Sequence, residues 1–159
     1  MGDRVAIRFV QKFQTLERIS IAVFAHWGGT HFPRLAEAYF KDFYTEIPPD
    51  VMWPITRKDP DNAILNFIYW LKERGGIDYP VQSNYYLGKD FKDGDCSDNG
   101  CYDFDVDTGK IMRIIQYDWE QKRYISVEGE ENLEKWQHRY DDDFDNDGFL
   151  RSLPAYGVD

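Results

Sequence analysis

Between residues 33 and 74 the apolar side chains recur every third or fourth position, while on either side they tend to recur every second. A chain carrying both periods must lay amphipathic helices on a sheet, because neither element buries its apolar face alone. Leu35, Tyr39, Phe43 and Ile47 form the first helical stripe, with Ala36 and Phe40 beside it and Lys41, Asp42 and Glu46 on other faces. Pro33 suits the first turn of this helix, and Pro48-Pro49 stops it. Ile64, Leu65, Ile68 and Leu71 form the second stripe, joined by Phe67 and Trp70. Asp59 can cap its free N–H groups, Pro60 pre-sets its first turn, and Gly75-Gly76 ends it. Helices are therefore expected over 33–47 and 59–74.

Strands are expected over 4–10 and 19–25, both rich in Val, Ile and Phe, with residues 11–18 as a polar hairpin connector. Another is expected over 81–87, ahead of a loop at 88–100 rich in Gly, Asp, Asn and Ser. Residues 102–107 alternate strictly, Thr108-Gly109 turns the chain, and 110–117 and 124–127 complete an antiparallel meander. A third helix is expected over 130–140, with Leu133, Trp136 and Tyr140 on one line. The expected fold is α+β: an antiparallel sheet of about five strands with two or three helices packed on one face. With 159 residues the chain reads as a single domain over 1–159, in which the acidic stretch 141–159 is a loosely docked tail.

Composition supports one packed core. The chain is 42% hydrophobic and 17% aromatic, and 5 Trp, 11 Tyr and 11 Phe bury much area per residue. Its 29 acidic and 19 basic residues give a net charge of -10, which repels nucleic-acid phosphates and so argues against direct nucleic-acid binding. The same charge suits a basic protein partner, and aromatic residues beyond the needs of a core would serve a homodimer. No stretch reaches the roughly 18 apolar residues of a membrane span. Asp3 and Arg4 in an alternating opening argue against a signal peptide, so the expected location is cytoplasmic. Cys96 and Cys101 are then expected as free thiols; oxidised, they would close a small ring, and alone they cannot make a structural zinc site.

Two constellations carry possible chemistry. The first two strands and the Gly28-Gly29 turn would gather Asp3, Arg4, His26, Trp27 and His31, with Thr30 between the turn and His31. A histidine after a buried strand can act as base or ligand, Arg4 could hold an anion, and Asp3 could orient an imidazole. No nucleophile is placed beside them, and the alternative is that Gly28 and Gly29 only shape a strand-to-helix turn. The second is Asp143-x-Asp145-x-Asp147-Gly148, which matches the first half of an EF-hand calcium loop. Pro154 stands where the bidentate Glu belongs, so a weak calcium site through Asp143, Asp145 and Asp147 is the most this loop would offer; no other cofactor is expected. The rows Asp103, Asp105, Asp107 and Asp93, Asp95, Asp98 read as exposed acidic surface.

The opening Met1-Gly2-Asp3-Arg4, the apolar strand after it and Ala25-His26-Trp27-Gly28-Gly29 resemble a family of small prokaryotic and phage-associated proteins. Members open Met-Gly-Asp-Arg-Ala-Asn and carry Thr-His-Trp-Gly-Gly; here Val5 and Ala6 replace the usual pair and Ala25 stands for Thr. The resemblance covers about the first thirty-five residues and implies no particular activity, but it adds weight to residues 2–4 and 26–29 and suggests an accessory or host-interaction protein. Three readings of function stand. The first is a non-enzymatic interaction protein whose acidic surface meets a basic partner. The second is a small-ligand or anion-binding domain, or an enzyme, built on Asp3, Arg4, His26 and His31. The third is a weak calcium binder.

Overall fold

The computed structural model describes residues 2–42, 59–74 and 84–157. Seven strands and four α-helices follow in the order β1 Val5–Phe13, β2 Leu16–Ile19, β3 Ala22–Ala25, α1 His31–Asp42, α2 Pro60–Glu73, β4 Tyr85–Gly88, β5 Cys101–Asp105, β6 Ile111–Asp118, β7 Arg123–Glu128, α3 Glu130–Gln137 and α4 Asn146–Ser152. The sheet order is β4-β3-β1-β5-β6-β7, with β2 also on β1.

The α+β class is as expected, but the sheet is larger than five strands and it is mixed. β1 and β5 run parallel, with Arg8 opposite Asp103, whereas every other strand pair among the described residues is antiparallel. The connection explains the difference: between β1 and β5 the chain runs through two helices, long enough to bring it back to the far edge of β1 in the same direction. The expected polar connector 11–18 is also largely strand, since β1 extends to Phe13 and turns at Gln14, which takes a left-handed φ of 52°. β2 and β3 lie end to end along β1 with a break at Ser20, whose hydroxyl accepts from the Phe9 N–H at 2.9 Å and donates to the Ile21 carbonyl at 2.8 Å.

Alternation sorts the strands into two faces. Val5, Ile7, Phe9, Val23, Tyr102, Phe104, Ile114 and Val127 join side chains from all four helices in one core. At its centre Phe9 packs on Tyr39, Phe40, Phe67 and Phe104, with ring centroids 4.8–6.1 Å apart. Such tilted and edge-on pairs add to the area that these rings bury. The other face carries Ala6, Ala22, Phe24, Cys101 and Ile115, covered by Phe91 and Cys96 from the 89–100 segment. At the C-terminal end, the Ser126 N–H donates to the Pro154 carbonyl at 3.0 Å and the Tyr156 N–H to the Tyr124 carbonyl at 2.8 Å, which lays the chain along β7.

α2 starts where Asp59 and Pro60 indicate: Asp59 accepts from the Asn62 N–H at 3.2 Å, and Pro60 occupies the first turn. α1 begins at His31, so Pro33 lies in its first turn. The expected positions Phe43, Ile47, Gly75 and Gly76 and the residues 81–83 lie outside the described residues.

Candidate functional site

The N-terminal corner is knitted through the main chain. The Asp3 N–H donates to the His26 carbonyl at 2.8 Å, and the Gly29 N–H to the Asp3 carbonyl at 2.8 Å. The His26 N–H reaches the Asn84 carbonyl at 2.7 Å, and the Trp27 N–H reaches the Asn84 side chain at 2.8 Å. Gly29 sits at φ 52°, and a Cβ there would collide with the Asp3 carboxylate; one on Gly28 would come within 2.6–2.9 Å of Ala25, Phe32 and Val5. Both glycines are thus demanded by backbone conformation and close approach.

The side chains of this corner point to different partners. Arg4 donates to Asp98 at 3.0 Å and to Asp95 at 2.5 Å, and its own N–H donates to Asp98 at 2.9 Å. The Asp98 hydrogen bond, with the charge of both carboxylates, raises the Arg4 pKa. Partial burial opposes ionisation of Asp95 and Asp98, yet hydrogen bonds from Ser97 and from Arg4 respectively hold both below the usual carboxylate range. Asp3 accepts from the Asn99 amide at 2.6 Å. The His26 ring lies edge-on to Trp27 at 4.9 Å and makes no hydrogen bond among the described residues. Trp27 is 62% exposed, and His31 is exposed on α1 without a side-chain partner among the described residues. Asp3 and His26 are therefore backbone neighbours, Arg4 faces the 95–98 turn, and an anion at Arg4 would have to displace two carboxylates. Asp95, Asp98 and Asn99 complete this clasp, and their signal is an Asp-rich turn matched to a lone arginine.

The row Asp103, Asp105, Asp107 corrects the reading of an exposed acidic strand. Asp103 is fully buried, because alternation turns it onto the face closed by Phe91 and Tyr156. Arg8 Nε and Nη2 each donate to it at 2.8 Å and Arg113 Nε donates at 2.5 Å. Arg8, Asp103, Arg113 and Glu128 are cross-strand partners in turn, so charges alternate in sign across β1, β5, β6 and β7. Glu17 accepts twice from Arg113, at 2.9 and 2.7 Å. Burial works against both guanidinium charges, but Asp103, together with Glu17 at Arg113, raises their pKa values. A ladder satisfied this fully fixes register: a slip of one residue would turn Asp103 into the aromatic core. The sequence signal is a single arginine inside each of two apolar strands.

Cys96 and Cys101 are free and buried. Burial pushes the Cys96 thiol up to about 12 and Cys101 well above the ordinary thiol value, so neither supplies a thiolate near neutrality. In the 143–148 loop the Asp145 side chain accepts from the Gly148 N–H at 3.0 Å and caps α4, the helix that the sequence reading placed in a tail. No group of three or more His, Cys, Asp or Glu side chains among the described residues is set to hold a metal ion.

Two clefts flank α3. One, of about 640 Å³, lies between α1, the 109–111 turn and α3. The other, of about 360 Å³, lies between the β6–β7 turn and α4 and is lined by Asp118, Glu120 and Asp147 with Tyr117, Trp119 and Tyr140. An apolar groove between α2 and the edge strand β4 holds Leu65, Tyr69 and Leu87. The chain matches no protein-family model, no curated protein and no solved structure. No helix among the described residues is long and apolar enough to cross a membrane.

Proposed function

We propose that the protein is a non-enzymatic accessory protein that binds a basic protein partner through the face built by α3, α4 and the β6–β7 turn. The observation that carries this reading is where the cations go. Arg4, Arg8 and Arg113 are each turned onto carboxylates of this chain, and Arg123 donates to the Leu153 carbonyl at 3.1 Å. The carboxylates left without a cation gather elsewhere: Asp142, Asp143, Asp145 and Asp147 are exposed, and none makes an ion pair among the described residues. Beside them Trp119 and Tyr140 are 70% and 73% exposed. Exposed aromatic anchors beside a cluster of unpaired carboxylates suit a partner of opposite charge, the aromatics for affinity and the charge for rate, with Arg139 over Tyr140 as the one cation in the lining of this cleft among the described residues. The resemblance of the opening residues to phage-associated proteins accords with an accessory role in a prokaryotic cytoplasm.

Titration with a lysine-rich polypeptide tests the reading. Binding is expected at low ionic strength and should weaken steeply as salt rises. Changing Asp142, Asp143 and Asp147 to Asn should slow association more than it speeds dissociation. Absence of binding at low salt would refute the proposal.

A further inference from the structure

The cleft of about 640 Å³ beside α1 reverses the charge balance of the molecule. Arg34 of α1, Lys110 of the 109–111 turn, and His138 and Arg139 at the end of α3 line it, against one carboxylate, Glu37. A chain with 29 acidic and 19 basic residues thus places three of its Lys and Arg side chains around one hollow, together with His138, whose Nδ1 lies 3.1 Å from Asp141. Unlike Arg4, Arg8 and Arg113, the exposed Arg34 and Lys110 make no side-chain hydrogen bond or ion pair among the described residues. Arg34 feels the charge of Glu37, three positions along α1, without forming an ion pair with it.

Arg139 adds an independent observation. Its guanidinium lies over the rings of Trp136 and Tyr140, at 4.4 and 4.5 Å, and Nη1 donates to the Trp136 carbonyl at 2.9 Å. Nη2 is buried and has no acceptor among the described residues. The two rings hold the guanidinium in place, and its charge lies at the wall of the cleft with no carboxylate paired to it among the described residues. The floor is apolar and aromatic: Tyr102, Ile114 and Trp136 line it, and the Trp136 indole N–H donates to the Tyr102 hydroxyl at 3.4 Å. Volume, apolar floor and a few convergent polar groups are the features of a small-molecule site.

We propose that this cleft binds a small organic anion, a carboxylate or phosphate carried on a flat apolar body. The anionic head meets Arg34, Lys110 and Arg139, and the body lies on Tyr102 and Trp136. The cleft shares Trp136 and Arg139 with the wall of the acidic cleft on the other side of α3, but Arg34 and Lys110 belong to it and not to the acidic one.

Heteronuclear NMR titration of the whole chain tests it, with phenyl phosphate and benzoate as anionic probes and benzyl alcohol as the neutral control. The Trp136 indole N–H signal should move with one or both anions and stay still with the alcohol. Arg34→Gln combined with Lys110→Gln should weaken anion binding by about tenfold or more, the loss expected when charge-assisted contacts are removed. The melting temperature should hardly change, because both side chains are exposed and unbonded. The proposal is overturned if neither anion moves Trp136, if benzyl alcohol binds equally well, or if the double variant binds like the parent protein.

Discussion

Removing one carboxylate tests the charge ladder directly. Asp103 is fully buried and accepts three charge-assisted hydrogen bonds from two arginines. Asp103→Asn keeps the shape and one carbonyl oxygen but puts an amide N–H₂ against a guanidinium. Whichever way the amide turns, Arg8, 3% exposed, keeps one of its two short bonds to this side chain and loses the other, beside its long contacts of 3.3 Å to Asp90 and 3.4 Å to the Tyr156 hydroxyl. Arg113 retains Glu17. Breaking a buried pair from one side costs about 3–5 kcal/mol, because a charge is left in a poorly solvated site. For a domain of this size that lowers the melting temperature by roughly 6–20 °C. Asp105→Asn, two positions along the same strand, is the control. That carboxylate is only partly buried, and the bond seen for it is one accepted from the Asp107 N–H at 2.8 Å, so the loss should stay below about 1 kcal/mol. Urea denaturation followed by tryptophan fluorescence gives both values. Equal losses in the two variants, or a loss under about 1 kcal/mol at Asp103, would refute the view that burial of this network decides its weight.

Gly28→Ala should cost about 1–3 kcal/mol, since the new methyl meets Ala25, Phe32 and Val5 at 2.6–2.9 Å in a packed corner; a thermal melt unchanged from the parent would contradict that packing. Acid should unfold the protein through its paired carboxylates. The Arg113 hydrogen bond holds Glu17 below its ordinary value of 4.5, and Asp95 and Asp98 lie below theirs of 3.8. A depressed folded-state value means stability that is complete above the ordinary value and is lost as pH falls through the folded one. Melting temperature should therefore be flat near neutrality and drop below about pH 4.5. A drop already complete at pH 6 would need other groups.

Local chemistry was legible in the chain and distant pairing was not. Asp59-Pro60 marked the start of α2, and strict alternation over 102–107 marked β5, because capping and pleat are decided by neighbours in sequence. The parallel pairing of β1 with β5 had no local sign, and so the row beginning at Asp103 read as wet. Alternation places Asp103 on one face of β5 but does not say whether that face is covered. The cover comes from Phe91 and Tyr156, far away in sequence. At the N-terminal corner the need for Gly28 and Gly29 was visible. That Arg4 is engaged by Asp95 and Asp98 was not, because these carboxylates lie some 90 positions on. Cap formation by Asp145 also escaped notice, since the same Asp spacing suits a calcium loop and a helix start.

The parallel seam has a consequence for synthesis. Arg8 meets Asp103 across 95 positions, so during synthesis β1 can form its hairpin with β2 at once but must wait for β5. At ordinary elongation rates that wait is about 5–20 s. Throughout it, one flank of an apolar strand with open amide and carbonyl groups stands ready to pair with any passing chain. Over the same interval Arg8 has no Asp103 to meet, and an unpaired guanidinium resists burial against apolar intruders.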